Sequence, residues 1–124
     1  MLAGAKVFVL DDFGRVLVIR RSKTDPRRPL TWDIPGGVVE SDEDPGVAAV
    51  REVWEETGIS LEGVKLIEAN LGDEIELYIY RSNSSHTNVS LSFEHDQHLW
   101  VTLAEFQELD IPGKYKLAAK RALG

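Results

Sequence analysis

Seven carboxylates (Glu40, Asp42, Glu43, Asp44, Glu52, Glu55 and Glu56) stand within 17 residues of the stretch WDIPGGVVESDEDPGVAAVREVWEETGI, against one cation, Arg51. Like charges at helical spacing cost a few tenths of a kcal/mol per pair. On a wheel of about 100° per residue, with Glu52 at zero, Glu55 falls near −60° and Glu56 near +40°, so the three share one face. Val47, Val50 and Trp54 fall opposite and are expected to form the core side. Ala48 and Ala49 flank the acids and are expected to leave them open to a ligand. Two carboxylates about 5 Å apart repel by roughly 3 kcal/mol at an effective dielectric of about 20. Three of them must stay solvated, hold protons, or neutralise a cation. Oxygen donors on one face favour Mg²⁺ or Mn²⁺.

Magnesium held by carboxylates with open positions commonly meets a phosphate. The segment RRSKTDPRR supplies cations for one. Arg20 and Arg21, at the end of an apolar run, are better positioned for it than the loop arginines Arg27 and Arg28.

The acid stretch accounts for nearly all of the net charge of −7 carried by the 124 residues. With 43% apolar and 28% charged residues and no cysteine, the composition fits one globular domain, residues 1–124. Disulfides and thiolate chemistry are excluded. No apolar run approaches a membrane span, and MLAGAKVFVL lacks the layout of a signal peptide. A cytoplasmic protein that binds neither membrane nor nucleic acid is expected, since the basic run is short and the acids would repel a phosphate backbone.

Around the acids, AKVFVLDDFGRVLVIRR reads as a hairpin turning at Asp11–Gly14. RSKTDPRRPLTW reads as a loop broken by Pro26 and Pro29, and IPGG as a tight turn. The helix is expected to begin at Asp44-Pro45, a good cap and first residue, and to end at Thr57-Gly58. VKLIEAN, EIELYIYR and NVSLSF read as strands, with SNSSHTN as the loop between the last two. A short strand follows at Leu99–Val101, then a capping box, Thr102 to Glu105, with Val101 and Phe106 as its hydrophobic staple, and a final helix, KYKLAAKRAL. His86, His95 and His98 read as surface or turn residues.

The spacing Gly37, five residues, Glu43, seven residues, then REVWEETGI (Arg51–Ile59) resembles the complete Nudix box, G-x5-E-x7-R-E-U-x-E-E-x-G-U, where U is a bulky aliphatic. WDIPGG before it and FEHDQHLWVTLAEF after it look like flanks common in that family. The resemblance implies an α+β fold, an α/β/α sandwich with a mixed sheet, and Mg²⁺-dependent hydrolysis of a nucleoside diphosphate linked to another moiety. It implies Glu52, Glu55, Glu56 and the Gly37 carbonyl as metal ligands. Glu43 and Arg51 would be structural, and Arg21 matches a position that contacts substrate phosphate in some relatives. Asp42 departs from the glycine frequent at that position, which is expected to affect loop stiffness rather than chemistry. The base that activates water varies in the family; Glu94, Asp96 and Glu55 are the candidates here.

The features expected of ADP-ribose, coenzyme A and isopentenyl-diphosphate branches are absent, and Tyr78 is only a near match to the dinucleoside polyphosphate branch. By elimination the expected substrate is a nucleoside triphosphate, oxidised ones included, cut to monophosphate and pyrophosphate. Dinucleoside polyphosphates, nucleotide sugars and ADP-ribose remain alternatives, as does a non-catalytic nucleotide-sensing module. Trp32, Phe93 and Trp100 are candidate base-stacking surfaces. Many relatives form homodimers, but no interface motif is legible.

Overall fold

The computed structural model describes residues 2–71 and 74–124. Its elements are β1 (Leu2–Leu10), β2 (Val16–Arg21), β3 (Trp32–Asp33), β4 (Gly36–Val38), α1 (Pro45–Thr57), β5 (Lys65–Leu71), β6 (Ile75–Asn83), β7 (His95–Val101), α2 (Leu103–Glu108) and α3 (Gly113–Ala122). The strands form one mixed sheet in the order β3-β2-β1-β6-β5, with β4 also pairing β1 and β7 also pairing β2. β1 and β6 run parallel, and the other pairs are antiparallel.

Successive side chains of a strand point to opposite faces, and β1 and β2 bury both. Phe8, Leu10, Val16 and Val18 join Phe106 of α2 and Tyr115, Ala118 and Ala119 of α3 in one cluster. Val7, Val9, Leu17 and Ile19 join Ala48, Ala49 and Val53 of α1 in the other. Helices therefore cover the sheet on both sides, the α/β/α arrangement expected, and two-sided burial explains why these strands read as nearly continuous apolar runs. Asp44 caps α1 by accepting from the Gly46 and Val47 N–H groups, and Gly58 ends it in the left-handed conformation. The Thr102–Glu105 capping box is complete, and both staple residues, Val101 and Phe106, lie in the α2/α3 cluster.

The core side of α1 is not the Val47–Val50–Trp54 face: Val47 is 59% and Trp54 58% exposed, whereas Ala48 and Ala49 are fully buried. The alanines do not open the acid face to a ligand; they let the helix approach β1 and β4 closely, with Val53 buried beside them and Val50 packed at the edge of that core, while Val47 and Trp54 are left outside. NVSLSF is not a strand. Its Ser90 and Ser92 N–H groups donate to Thr57 O and Glu56 O, satisfying carbonyls that the helix end leaves unpaired. The polar loop begins at Ser84, because β6 continues to Asn83. IPGG leads directly into a strand, with β4 pairing β1 from Gly36 to Val38.

Candidate active site

The carboxylates of α1 reach the sheet because two glycines let backbone and helix crowd together. A Cβ on Gly36 would collide with Ala5 O of β1, and one on Gly37 would stand 2.6 Å from the Glu52 carboxylate. In this packing Gly36 N–H donates to Glu56 Oε1 at 2.7 Å. Glu56 is only 8% exposed. Burial pushes its carboxyl up to about 8, against the opposing pull of Lys6 and the Gly36 N–H. Glu52 is also raised, by burial first, with Arg51 opposing and Glu55 and Glu94 adding.

Arg51 is the organiser of the box. Its Nε and Nη2 grip Glu43 at 2.8 and 3.0 Å, Nη2 donates to Val38 O at 3.2 Å, and Nη1 reaches Glu52 at 3.0 Å and Glu55 at 3.2 Å. The Arg51 hydrogen bonds hold Glu43 down to about 2. The loop before α1 is thus fastened to the helix body, as expected for Glu43 and Arg51. Asp42 adopts φ 65°, a left-handed conformation that glycine takes without strain and aspartate tolerates. That geometry accounts for the departure seen at Asp42.

Glu52, Glu55 and Glu56 line a cavity of about 400 Å³ together with Gly36, Gly37 and Val38 and with Lys6, Arg21, Asp25, Asp33, Glu94 and His95. Of the residues expected from the sequence, Glu52, Glu55, Glu56, Gly37, Glu94 and Arg21 meet here. Arg20 does not line the cavity: it pairs with Asp96 through Nε at 2.9 Å and Nη2 at 3.1 Å, at the surface. The pairing of β2 with β7 is irregular between Arg20 and Arg21; Arg21 faces the cavity, and Asp96 stands outside it with Arg20.

The sequence reading missed the opposite wall. Lys6 Nζ donates to Asp33 Oδ2 and Ile34 O, both at 3.2 Å. Arg21 Nη1 donates to the same Asp33 oxygen at 2.9 Å, and its Nε to Asp25 at 3.0 Å. Burial, the largest single influence, opposes the Lys6 charge, but Asp33, Tyr115 and Glu56 together outweigh it and hold the ammonium above its ordinary value. The available signal was a lone lysine within AKVFVL and a lone aspartate within LTWDIP. His95 is not a surface residue: its side chain is 8% exposed, with Nδ1 4.0 Å from Glu56 Oε2 and without a hydrogen-bond partner among the described residues. Burial pushes the imidazole down to about 4, so beside Glu56 it is neutral at neutral pH and the contact is not an ion pair.

The lining holds six carboxylates against two cations. Among the described residues no three such groups already enclose an ion position; Arg51 engages Glu52 and Glu55, and the Gly36 N–H engages Glu56. The donors are nevertheless hard oxygens around a buried, partly protonated acid. That set fits a hard divalent ion, which would offset the cost of ionising Glu56.

The family profile described as NUDIX domain matches residues 2–120. The chain belongs to the Nudix hydrolase family. A MutT-like protein of Streptomyces ambofaciens is 39% identical over 106 residues, covering 84% of this chain and 65% of that protein, so the chain spans just under two thirds of its length. An RNA pyrophosphohydrolase of Roseobacter denitrificans is 26% identical, covering 87% and 81%. The crystal structure of a MutT protein from Methanosarcina mazei Go1 superposes with a TM-score of 0.82 at 26% identity, covering 97% of this chain and 91% of that one.

Proposed function

We propose that this Nudix domain hydrolyses the diphosphate linkage of a nucleoside diphosphate derivative, with a nucleoside triphosphate cut to monophosphate and pyrophosphate as the leading case. The supporting observation is the convergence of Glu52, Glu55, Glu56 and Glu94 on one cavity whose far wall carries Lys6 and Arg21. Glu52, Glu55, Glu56 and the Gly37 carbonyl are the residues that would hold Mg²⁺ or Mn²⁺. When bound, such an ion supplies charge neutralisation for the phosphates and acidifies a water.

The residues divide the remaining work. Arg21 is fixed through Nε and Nη1 by Asp25 and Asp33 and presents its guanidinium edge to a phosphate already oriented, which lowers the entropic cost of binding. Lys6 places a buried positive charge behind that position. Glu94 is the preferred proton acceptor, because Glu55 is engaged by Arg51 and Asp96 is outside the cavity with Arg20. Phe93, 91% exposed beside Glu94, is the surface on which a base would stack; Trp32 and Trp100 pack against the two cores.

The test is a screen of nucleoside triphosphates, nucleotide sugars, ADP-ribose and dinucleoside polyphosphates with Mg²⁺, wild type against Glu56→Gln. Turnover by the wild type that collapses in the variant is the expected result. Tight Mg²⁺-dependent binding without product would instead identify a nucleotide sensor.

A further inference from the structure

A second cavity, of about 270 Å³, adjoins the carboxylate cavity and shares Lys6, Arg21, Asp33, Gly37 and Val38 with it. Its composition is the reverse of its neighbour's. It has an apolar floor that includes Leu2, Ile75, Leu77 and Pro112, and it adds three cations, Arg27, Arg28 and Lys114, without adding an acid. In a chain of net charge −7 such a patch is not a by-product of overall basicity. Lys6 and Arg21 are already paired with Asp33, but among the described residues Arg27, Arg28 and Lys114 take part in no ion pair.

Two features set where these cations sit, and Lys114 Nζ lies 5.3 Å from the centroid of the Tyr115 ring. Asp25 Oδ1 accepts the backbone N–H groups of Arg27 at 2.9 Å and Arg28 at 2.8 Å, so the loop that carries them is fastened to Arg21. Lys114 lies in the first turn of α3, a helix with no side-chain cap and no acid in that turn. Its leading N–H groups, those of Gly113 and Lys114, have no backbone partner among the described residues. A lysine in the first turn is disfavoured by the helix dipole. Cations, uncapped N–H groups and the positive helix end all add up at one place, and an anion would relieve them together.

The geometry points to a phosphate subsite: the Arg27, Arg28 and Lys114 rim binds a phosphate group that the substrate carries beyond the three of a nucleoside 5′-triphosphate, with an attached sugar or base on the apolar floor. This rests on the assignment of diphosphate cleavage to the carboxylate cavity. Within that reading it favours nucleotides with a fourth phosphate, either lengthening the 5′ chain or attached across the nucleoside, as at the 5′ end of an oligonucleotide.

Three substrates separate these sources: ATP, adenosine 5′-tetraphosphate, and the triphosphorylated dinucleotide pppApA. In the wild type, at least one of the latter two is expected to show a KM about tenfold below that of ATP at similar kcat, the size of a lost charge-assisted hydrogen bond. Arg28→Ala/Lys114→Ala should abolish that advantage while leaving ATP hydrolysis unchanged, and Arg28→Lys/Lys114→Arg should restore much of it. The substrate that gains identifies where the phosphate sits. Equal KM for all three in the wild type, or an equal rise for all three in the double alanine variant, overturns the subsite.

If no substrate is turned over, the hydrolytic assignment fails, and the subsite is judged separately by calorimetry with tripolyphosphate in EDTA. Binding that the double alanine variant loses supports it. No binding by the wild type overturns it.

Discussion

Replacing Glu56 with glutamine is expected to stabilise the metal-free protein while removing its activity. The side chain is nearly the same shape, and its carbonyl oxygen can still accept the 2.7 Å bond from Gly36 N–H. Its new amide nitrogen stands near His95 Nδ1, which is 4.0 Å from the oxygen it replaces, so a bond between them needs a shift of either side chain. Glutamine also cannot ionise. Burial raises Glu56 from 4.5 to about 8, so the folded state binds this proton more tightly than the unfolded one, and wild-type stability falls as pH rises between those values. The penalty is under about 1 kcal/mol at pH 5, about 3 kcal/mol at pH 7, and complete above pH 8. Urea denaturation in EDTA should show the midpoint of the Glu56→Gln variant higher than that of the wild type by roughly 1.5–2 M at pH 7 and by only about 0.5 M at pH 5, for a slope of about 1.5–2 kcal/mol/M. Added Mg²⁺ should raise the wild-type midpoint and leave the variant's unchanged. Equal midpoints at pH 5 and pH 8.5, or a less stable variant, would refute the burial argument; wild-type turnover by the variant would refute the mechanism.

Gly37→Ala should retain the fold, because the nearest atoms to its Cβ, at 2.6 Å, are the movable end of Glu52, yet weaken Mn²⁺ binding by about tenfold or more through displacement of that carboxylate; titration followed by electron paramagnetic resonance measures it. Ala49→Leu should cost about 1–3 kcal/mol by overpacking the interface of α1 with the sheet, whereas Trp54→Lys should stay within about 0.5 kcal/mol, and thermal melts of the pair test which face of α1 is buried. Arg51→Met should cost about 1–2 kcal/mol through the lost grip on Glu43, and faster proteolysis in the 39–44 loop would report it. Asp25 is held down to about 2, chiefly by the Arg28 and Arg27 N–H groups, so its contribution is present above about pH 4 and lost as pH falls through about 2; Asp25→Asn should flatten that acid limb in a pH series of denaturation curves.

Local chemistry determined a good deal of this protein by itself. The Asp44 cap, Pro45 and Gly58 set both ends of α1, and 3.6-residue periodicity brought Glu52, Glu55 and Glu56 to one side of it. The uninterrupted apolar runs marked the strands buried on both faces. Each depends on residues close in sequence, whose relative geometry a helix or strand imposes directly. The absolute orientation of α1 was not legible, because a wheel orders angles without saying which one meets the sheet. That was decided by how closely Ala48 and Ala49 approach strands opened by Gly36 and Gly37, and the close approach turned the acids inward and left Trp54 outside. The Lys6–Asp33–Arg21 wall, the place of His95 beside Glu56 and the docking of Ser90 and Ser92 on the end of α1 likewise joined residues from separate elements. Their chemistry depends on burial, and burial exists only once the sheet and its two helical layers have closed around them.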